Sequence, residues 1–185
     1  MASLILFNKP YCVLSQFTSK ENQATLKPYL PNYPGFYVAG RLDYDSEGLL
    51  ILTDNGQLQH RISHPQQKMN KTYWVQVEGI PNQQAIQSLR LGVELKDGTT
   101  RAAEVKLIKA PTIWQRNPPI RQRKQLPTSW LQIKIKEGKN RQIRRMTAKV
   151  GHPTLRLIRT QIGPWALNNM QPGQYDIQKV HLGKK

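Results

Sequence analysis

The sequence predicts an α+β fold built on a large mixed or antiparallel sheet. Three observations point there. Runs that favour strand outnumber runs that favour helix, and the two do not alternate regularly as a doubly wound fold requires. The strand-like runs are short and end at Gly, Pro and Asn turn signals. At 185 residues, with 38% hydrophobic residues and four Trp, the chain can fold as one domain with a proper core or as two small ones in close contact.

The elements follow in order. Residues 3–7 form a strand, broken by Asn8-Lys9-Pro10, and Val13 to Phe17 can return beside it. Thr25 to Leu30 is a short helical piece closed by Pro31. Phe36 to Ala39 is β-prone and stops at Gly40; Leu49 to Thr53 is a strand ended by the turn Asp54-Asn55-Gly56. Gln57 to Ile62 reads as a short helix. Thr72 to Glu78 alternates, with Tyr73, Val75 and Val77 on one face. Asn82 caps a helix to Leu91, with Ala85, Ile86 and Leu89 inward and Gly92 at its end. Ala103 to Ile108 is a strand, and Pro111 to Pro127 a basic, Pro-rich surface loop. Trp130 to Lys136 alternates with Leu131, Ile133 and Ile135 on one side. Asn140 caps a helix to Val150, closed by Gly151. Leu155 to Ile162 and Gln174 to Val180 are the last strands.

The charge balance restricts function. Lys and Arg number 28 against 11 Asp and Glu, a formal charge of +17. Such a surface suits a polyanion, and RNA or DNA is the natural candidate. The one cysteine, Cys12, permits no intramolecular disulfide and fits a reducing, cytoplasmic setting. Leu4 to Phe7 is too short for a signal sequence, and Leu49 to Leu52 is far short of a membrane span.

Against that basic background, Asp43, Asp45, Glu47 and Asp54 crowd the loop from Ala39 to Gly56. Phosphate binding alone gains nothing from carboxylates there, whereas acid chemistry on a nucleic acid needs one. On the 140–150 helix, Ile143, Met146 and Val150 make an apolar stripe. Arg141, Arg145 and Lys149 share another face, with Arg144 at its boundary. With Lys136, Lys139, Arg156 and Arg159 flanking it, this cluster reads as a phosphate-binding face. Arg121, Arg123 and Lys124 lie between Trp114 and Trp130; RNA contact and a charged solvent loop are both open for them. Tyr73, from its face alone, reads as a core residue. His60 and His64 are four apart, but Pro65 follows and no further ligand is spaced to complete a zinc site. No nucleotide-cradling, metalloprotease or hydrolytic triad motif occurs, so the chemistry is expected to need no cofactor and no metal.

Taken together, the Asp loop, Tyr strand and Arg helix resemble the RNA pseudouridine synthases, specifically the branch that modifies ribosomal RNA. The matching segments are Leu6 to Pro10, Gly40-Arg41-Leu42-Asp43 through Gly56, Lys71-Thr72-Tyr73, Glu137 to Met146, and Leu155 to Arg159. Asn117 through Trp130 further resembles a large-subunit subgroup. The resemblance implies the family's α+β fold, with a mostly antiparallel sheet and a catalytic cleft across it. It implies isomerisation of a uridine in 23S ribosomal RNA. Asp43 resembles the catalytic aspartate that attacks or deprotonates the target uridine, at the sugar or at the pyrimidine ring. Tyr73 resembles the tyrosine that stacks on the base, Arg144 the arginine paired with the aspartate, and Leu157 the aliphatic residue beneath the base. Arg41, Lys139, Arg141, Arg145, Arg156, Arg159, Arg121 and Arg123 are then expected to bind substrate. Ser46 stands where the family usually has Thr. Many relatives carry an N-terminal S4-type domain; this sequence is expected to be a single catalytic domain over 1–185 and a monomer. A non-catalytic rRNA-binding or ribosome-assembly protein is the alternative. A DNA-binding regulator is disfavoured, since nothing signals a helix-turn-helix.

Overall fold

The computed structural model describes residues 1–63, 69–120 and 126–181. Two compact units divide the chain: Met1–Met69 with Arg159–Lys185, and Asn70–Ile158.

In the first unit the central strands are β1 (Ala2–Lys9) and β3 (Glu47–Thr53). They pair antiparallel, with Ile5 opposite Leu52 and Phe7 opposite Leu50. Strand β11 (Tyr175–Val180) covers the other edge of β1, and β2 (Tyr37–Val38) pairs with β3. Both central strands are buried on both faces, which explains their nearly unbroken apolar runs. One face packs Ile5, Phe7, Leu50 and Leu52 against Val13, Leu26 and Leu30, bordered by Phe17, Tyr29, Tyr33, Phe36 and Val38. Helix α1 (Gly56–Ser63) follows β3 and buries Leu58 and Ile62.

Two local expectations fail here. Val13 to Phe17 is not a strand beside β1; its backbone bonds to the segment that follows, Leu14 N–H to Ala24 and Leu26 N–H to Gln16. Thr25 to Leu30 forms one hydrogen-bonded turn and no helix, with Tyr29 and Leu30 N–H both donating to Leu26. Pro28 lacks a donor and Pro31 disfavours helical backbone at Leu30, so propagation stops at once.

In the second unit β4 (Lys71–Glu78) pairs antiparallel with β8 (Thr128–Ile135), which pairs antiparallel with β7 (Glu104–Ile108). Tyr73, Val75 and Val77 are buried beside Ile133, Leu131 and Ser129 in register, as the period-2 pattern requires. Helix α2 (Gln83–Leu91) starts where expected: the Asn82 side chain accepts from Ala85 N–H at 2.8 Å, and Gly92 ends it at φ +110°. Its Ala85 and Leu89 are buried, while Ile86 is only half-buried. Arg90 fastens this helix to β7 by two bonds to the Val105 carbonyl, at 3.0 and 2.8 Å. A small hairpin follows, β5 (Glu94–Leu95) and β6 (Gly98–Thr99).

Helix α3 (Gln142–Lys149) buries Gln142, Ile143, Met146 and Thr147. Asn140 is not its cap. Arg141 occupies that position at φ +45° and makes no capping side-chain bond. Gln142 organises the entry instead: its Oε1 accepts from Lys139 N–H at 3.0 Å and its Nε2 donates to Glu137 at 2.5 Å. Strand β9 (Thr154–Ile162) carries the chain from this unit into the first, where β10 (Trp165–Ala166) pairs back onto it. The α+β expectation, with its mostly antiparallel pairing, holds.

Candidate active site

Asp43 sits in the first unit on a loop secured at several points. Just before it, the Ser15 hydroxyl donates to the Leu42 carbonyl at 2.8 Å and accepts from Leu42 N–H at 3.0 Å, so Leu42 is clamped on both sides. Just after it, Ser46 N–H donates to the Asp43 carbonyl at 3.1 Å and closes a turn that leads into β3. The carboxylate-bearing residue is half-buried.

Two buried cations grip the same loop from within. The Arg159 guanidinium, on a residue only 2% exposed, donates to the carbonyls of Leu49 at 2.8 Å, Gly40 at 2.9 Å and Arg41 at 3.4 Å. It thereby ties the residues before Asp43 to the start of β3. Gly48 makes room for this: at φ +102° it brings its backbone so close to β9 that a Cβ would lie 2.3 Å from the Arg159 carbonyl oxygen. The sequence places Arg159 among the phosphate ligands; the structure corrects this, because its donors are engaged by main-chain oxygens in the interior.

Lys9 is the second cation, with its side chain fully buried. Its Nζ donates to Val13 at 2.6 Å, Pro10 at 2.8 Å and Tyr44 at 3.5 Å, all carbonyls. Burial pushes its pKa down to about 7, partly offset by the negative charge of nearby Glu47. Lys9 is a loop-holding residue that composition and spacing do not single out; its one signal is a lysine closing an apolar strand. Of the other acids, Asp54 accepts from Ser3 N–H at 2.9 Å. Burial acts to raise its pKa and is the largest single influence, but the hydrogen bonds from Ser3 and the nearby charge of Lys179 together outweigh it, and the group titrates below the usual carboxylate range.

The second unit holds the other expected residues. Tyr73 is 8% exposed on β4, facing the buried side with Val75. Arg144 is half-buried on α3, and Leu157 is buried on β9. Arg141 and, in the first unit, Arg41 are exposed. Arg156 is buried: its guanidinium donates to the Trp114 carbonyl at 3.1 Å and lies 5.6 Å from the centre of that ring. This corrects the reading of Arg156 as a surface phosphate ligand, since it anchors the Pro-rich loop. Arg116, which sequence reasoning passed over, works beside it by donating to Pro118, Pro119 and Leu155 carbonyls. Lys139 and Arg145 reach the β5–β6 hairpin: Arg145 makes a two-pronged ion pair with Asp97, at 2.7 and 3.1 Å. Arg121, Arg123 and His64 lie outside the described residues. Among the described residues no three His, Cys, Asp or Glu are grouped to hold a metal ion, and no helix is long and apolar enough to cross a membrane.

Comparison with known proteins gives this geometry its family. The sequence model described as RNA pseudouridylate synthase matches residues 3–149. A protein of Vibrio parahaemolyticus named ribosomal large subunit pseudouridine synthase E is 56% identical over 93% of this chain and 72% of its own length. One of the same name from Xanthomonas campestris is 55% identical over 94% of each chain. Ribosomal large subunit pseudouridine synthase B of Bacillus subtilis is 34% identical over 91% of this chain, which spans 64% of that protein. A crystal structure of a pseudouridylate synthase superposes with a TM-score of 0.79 at 25% identity, covering 97% of this chain and 71% of that one. The human RNA pseudouridylate synthase domain containing 1 shares the fold, with a TM-score of 0.56 at 15% identity over 86% of this chain and 74% of its own. The chain therefore belongs to the RNA pseudouridylate synthase family and is an RNA pseudouridine synthase.

Proposed function

We propose that this chain converts one specific uridine of 23S ribosomal RNA to pseudouridine, in the cytoplasm, with Asp43 as nucleophile. The observation that supports the substrate is the identity above 50%, over more than nine-tenths of the chain, to proteins named for the large ribosomal subunit. The observation that supports the nucleophile is the loop itself. Asp43 follows a residue clamped by Ser15, and its loop is held by Arg159 and Lys9. Fixing an attacking group in place removes entropy from the barrier.

In this reading the target uridine leaves its stack, and the Tyr73 ring and Leu157 supply its two faces. Asp43 attacks the sugar or the ring, and the bond between N1 and C1′ breaks. The base turns, C5 bonds to C1′, and the bond to Asp43 is released; the proton on C5 leaves, with Tyr73 as the group that takes it, and N1 gains a proton in return. Arg144 is the group assigned to orient the carboxylate. Atoms and oxidation level balance without a redox partner. Arg41 and Arg141, both exposed, contact phosphates.

Incubating the protein with a 23S rRNA transcript and mapping pseudouridine tests this. Wild type forms pseudouridine at one position and Asp43→Asn forms none at any enzyme concentration. Conversion by D43N sinks the nucleophile assignment. RNA binding by wild type without conversion favours an rRNA-binding or assembly protein instead.

A further inference from the structure

The hairpin of β5 and β6 forms a separate two-stranded sheet with two residues in each strand. A hairpin so short is not stable in water by itself. Its base is fixed deeply. Val93 N–H donates to the Thr100 hydroxyl and Thr100 N–H to the Val93 carbonyl, both at 2.9 Å, and both residues are buried. Behind it Gly92 passes so close to the Thr100 carbonyl that a Cβ would lie 2.3 Å away.

The tip is held differently. Arg145 grips both carboxylate oxygens of Asp97, at 2.7 and 3.1 Å. Lys139 Nζ donates at 3.1 Å to the carbonyls of both Asp97 and Gly98. A guanidinium fork and an ammonium thus close on a cluster of oxygens carrying one negative charge. A phosphodiester offers the same thing, two anionic oxygens in a plane that suits the fork. The pair is open to water, its side chains 33% and 48% exposed. Ion pairs that wet hold little net free energy and exchange readily.

We propose that Lys139 and Arg145 form a phosphate subsite for the RNA strand, and that Asp97 is its resident stand-in. A backbone phosphate of the RNA displaces the carboxylate, and the hairpin tip swings away on its fixed base. The inference rests on the RNA-modifying reading above. It gives the protein a threshold: a lone phosphate must compete with a tethered carboxylate, while an RNA that fills several contacts at once prevails. It also explains why one of only 11 acids in a chain with 28 basic residues is spent on its most basic helix.

The test is binding of a fluorescein-labelled single-stranded oligouridylate by anisotropy across a salt series. Asp97→Asn preserves a turn-favouring residue and removes the charge. Glu21→Gln, exposed in the other unit, removes the same charge elsewhere. The expected result is that D97N binds roughly fivefold more tightly than E21Q, the scale of an exposed pair. D97N and E21Q should have the same salt slope, since both then use the subsite, whereas Arg145→Gln should flatten the slope by about 0.7. A D97N affinity equal to or weaker than that of E21Q overturns the proposal and leaves Asp97 a structural clasp. A second readout uses wild type alone: amide hydrogen exchange in residues 94–99 accelerates when the oligonucleotide binds, and slower exchange overturns the displacement. If wild-type protein fails to modify rRNA, the functional reading falls; if it modifies rRNA and D97N binds no better, only this inference falls.

Discussion

Arg159 and Lys9 show how a single buried cation can serve a catalytic loop without touching substrate. Arg159 satisfies three carbonyls at once, so truncating it leaves buried acceptors unpaired and a cavity behind. Arg159→Ala should destabilise the protein by about 3 kcal/mol in urea unfolding. A loss below about 1 kcal/mol would show that water replaces the guanidinium at no cost. Lys9 gives a pH signature. Its folded pKa of about 7 lies well below its ordinary 10.5, so between those values the unfolded chain binds a proton the folded chain has released. Stability from this group therefore rises with pH from about 7 to 10, and below 7 the penalty of the buried ammonium is constant. Lys9→Met removes the titration. The stability of wild type minus that of K9M should climb across pH 7–10 and stay flat from pH 5 to 7; a difference that falls with pH contradicts the assignment. Neither role could be read from the chain. Arg156 and Arg159 lie in a basic run like that of Arg141, and only the packing of β9 against its neighbours decides which of them reach water.

Elements that depend on local pattern were legible, and those that depend on close approach were not. Strand β4 alternates, β8 alternates, and α2 has an Asn cap and a Gly stop; each formed within a residue or two of the sequence reading. Asn82→Ala should accordingly cost about 1 kcal/mol in thermal unfolding. The errors have common causes. Thr25 to Leu30 has helix-forming residues, but two prolines cancel them. Cap preference points to Asn140 at the start of α3, whereas Arg141 holds that position and the Gln142 side chain organises the entry through its bonds to Lys139 and Glu137. The β5–β6 hairpin was missed because strands of two residues carry no periodicity; the dipeptide Asp97-Gly98 was its one signal. Gly48 is the sharpest case of close approach. It reads as an ordinary loop glycine, yet Gly48→Ala combines a positive φ with a Cβ 2.3 Å from main-chain oxygen. It should destabilise by more than about 2 kcal/mol and lower activity more than Gly56→Ala, whose Cβ position is open. Equal stability of the two variants in urea unfolding would mean that β9 can shift away from β3 without cost.

For the molecule as a whole, a charge of +17 overstates what is available to RNA. Lys9, Arg90, Arg156 and Arg159 are committed to carbonyls. Substrate affinity should then rest on a limited set of the remaining cations, and the sequence points to Arg121, Arg123 and Lys124. Each cation that neutralises a phosphate of single-stranded RNA contributes about 0.7 to the slope of log affinity against log salt. A variant with all three changed to Gln should therefore lose about 2 from that slope. Because these residues are assigned to holding RNA and not to the reacting base, the variant should show a raised KM for rRNA at an unchanged kcat. A fall in kcat with KM preserved would move the segment into the chemistry. An unchanged slope together with unchanged KM would remove it from the RNA interface and leave binding to Arg41, Arg141 and the subsite of Lys139 and Arg145.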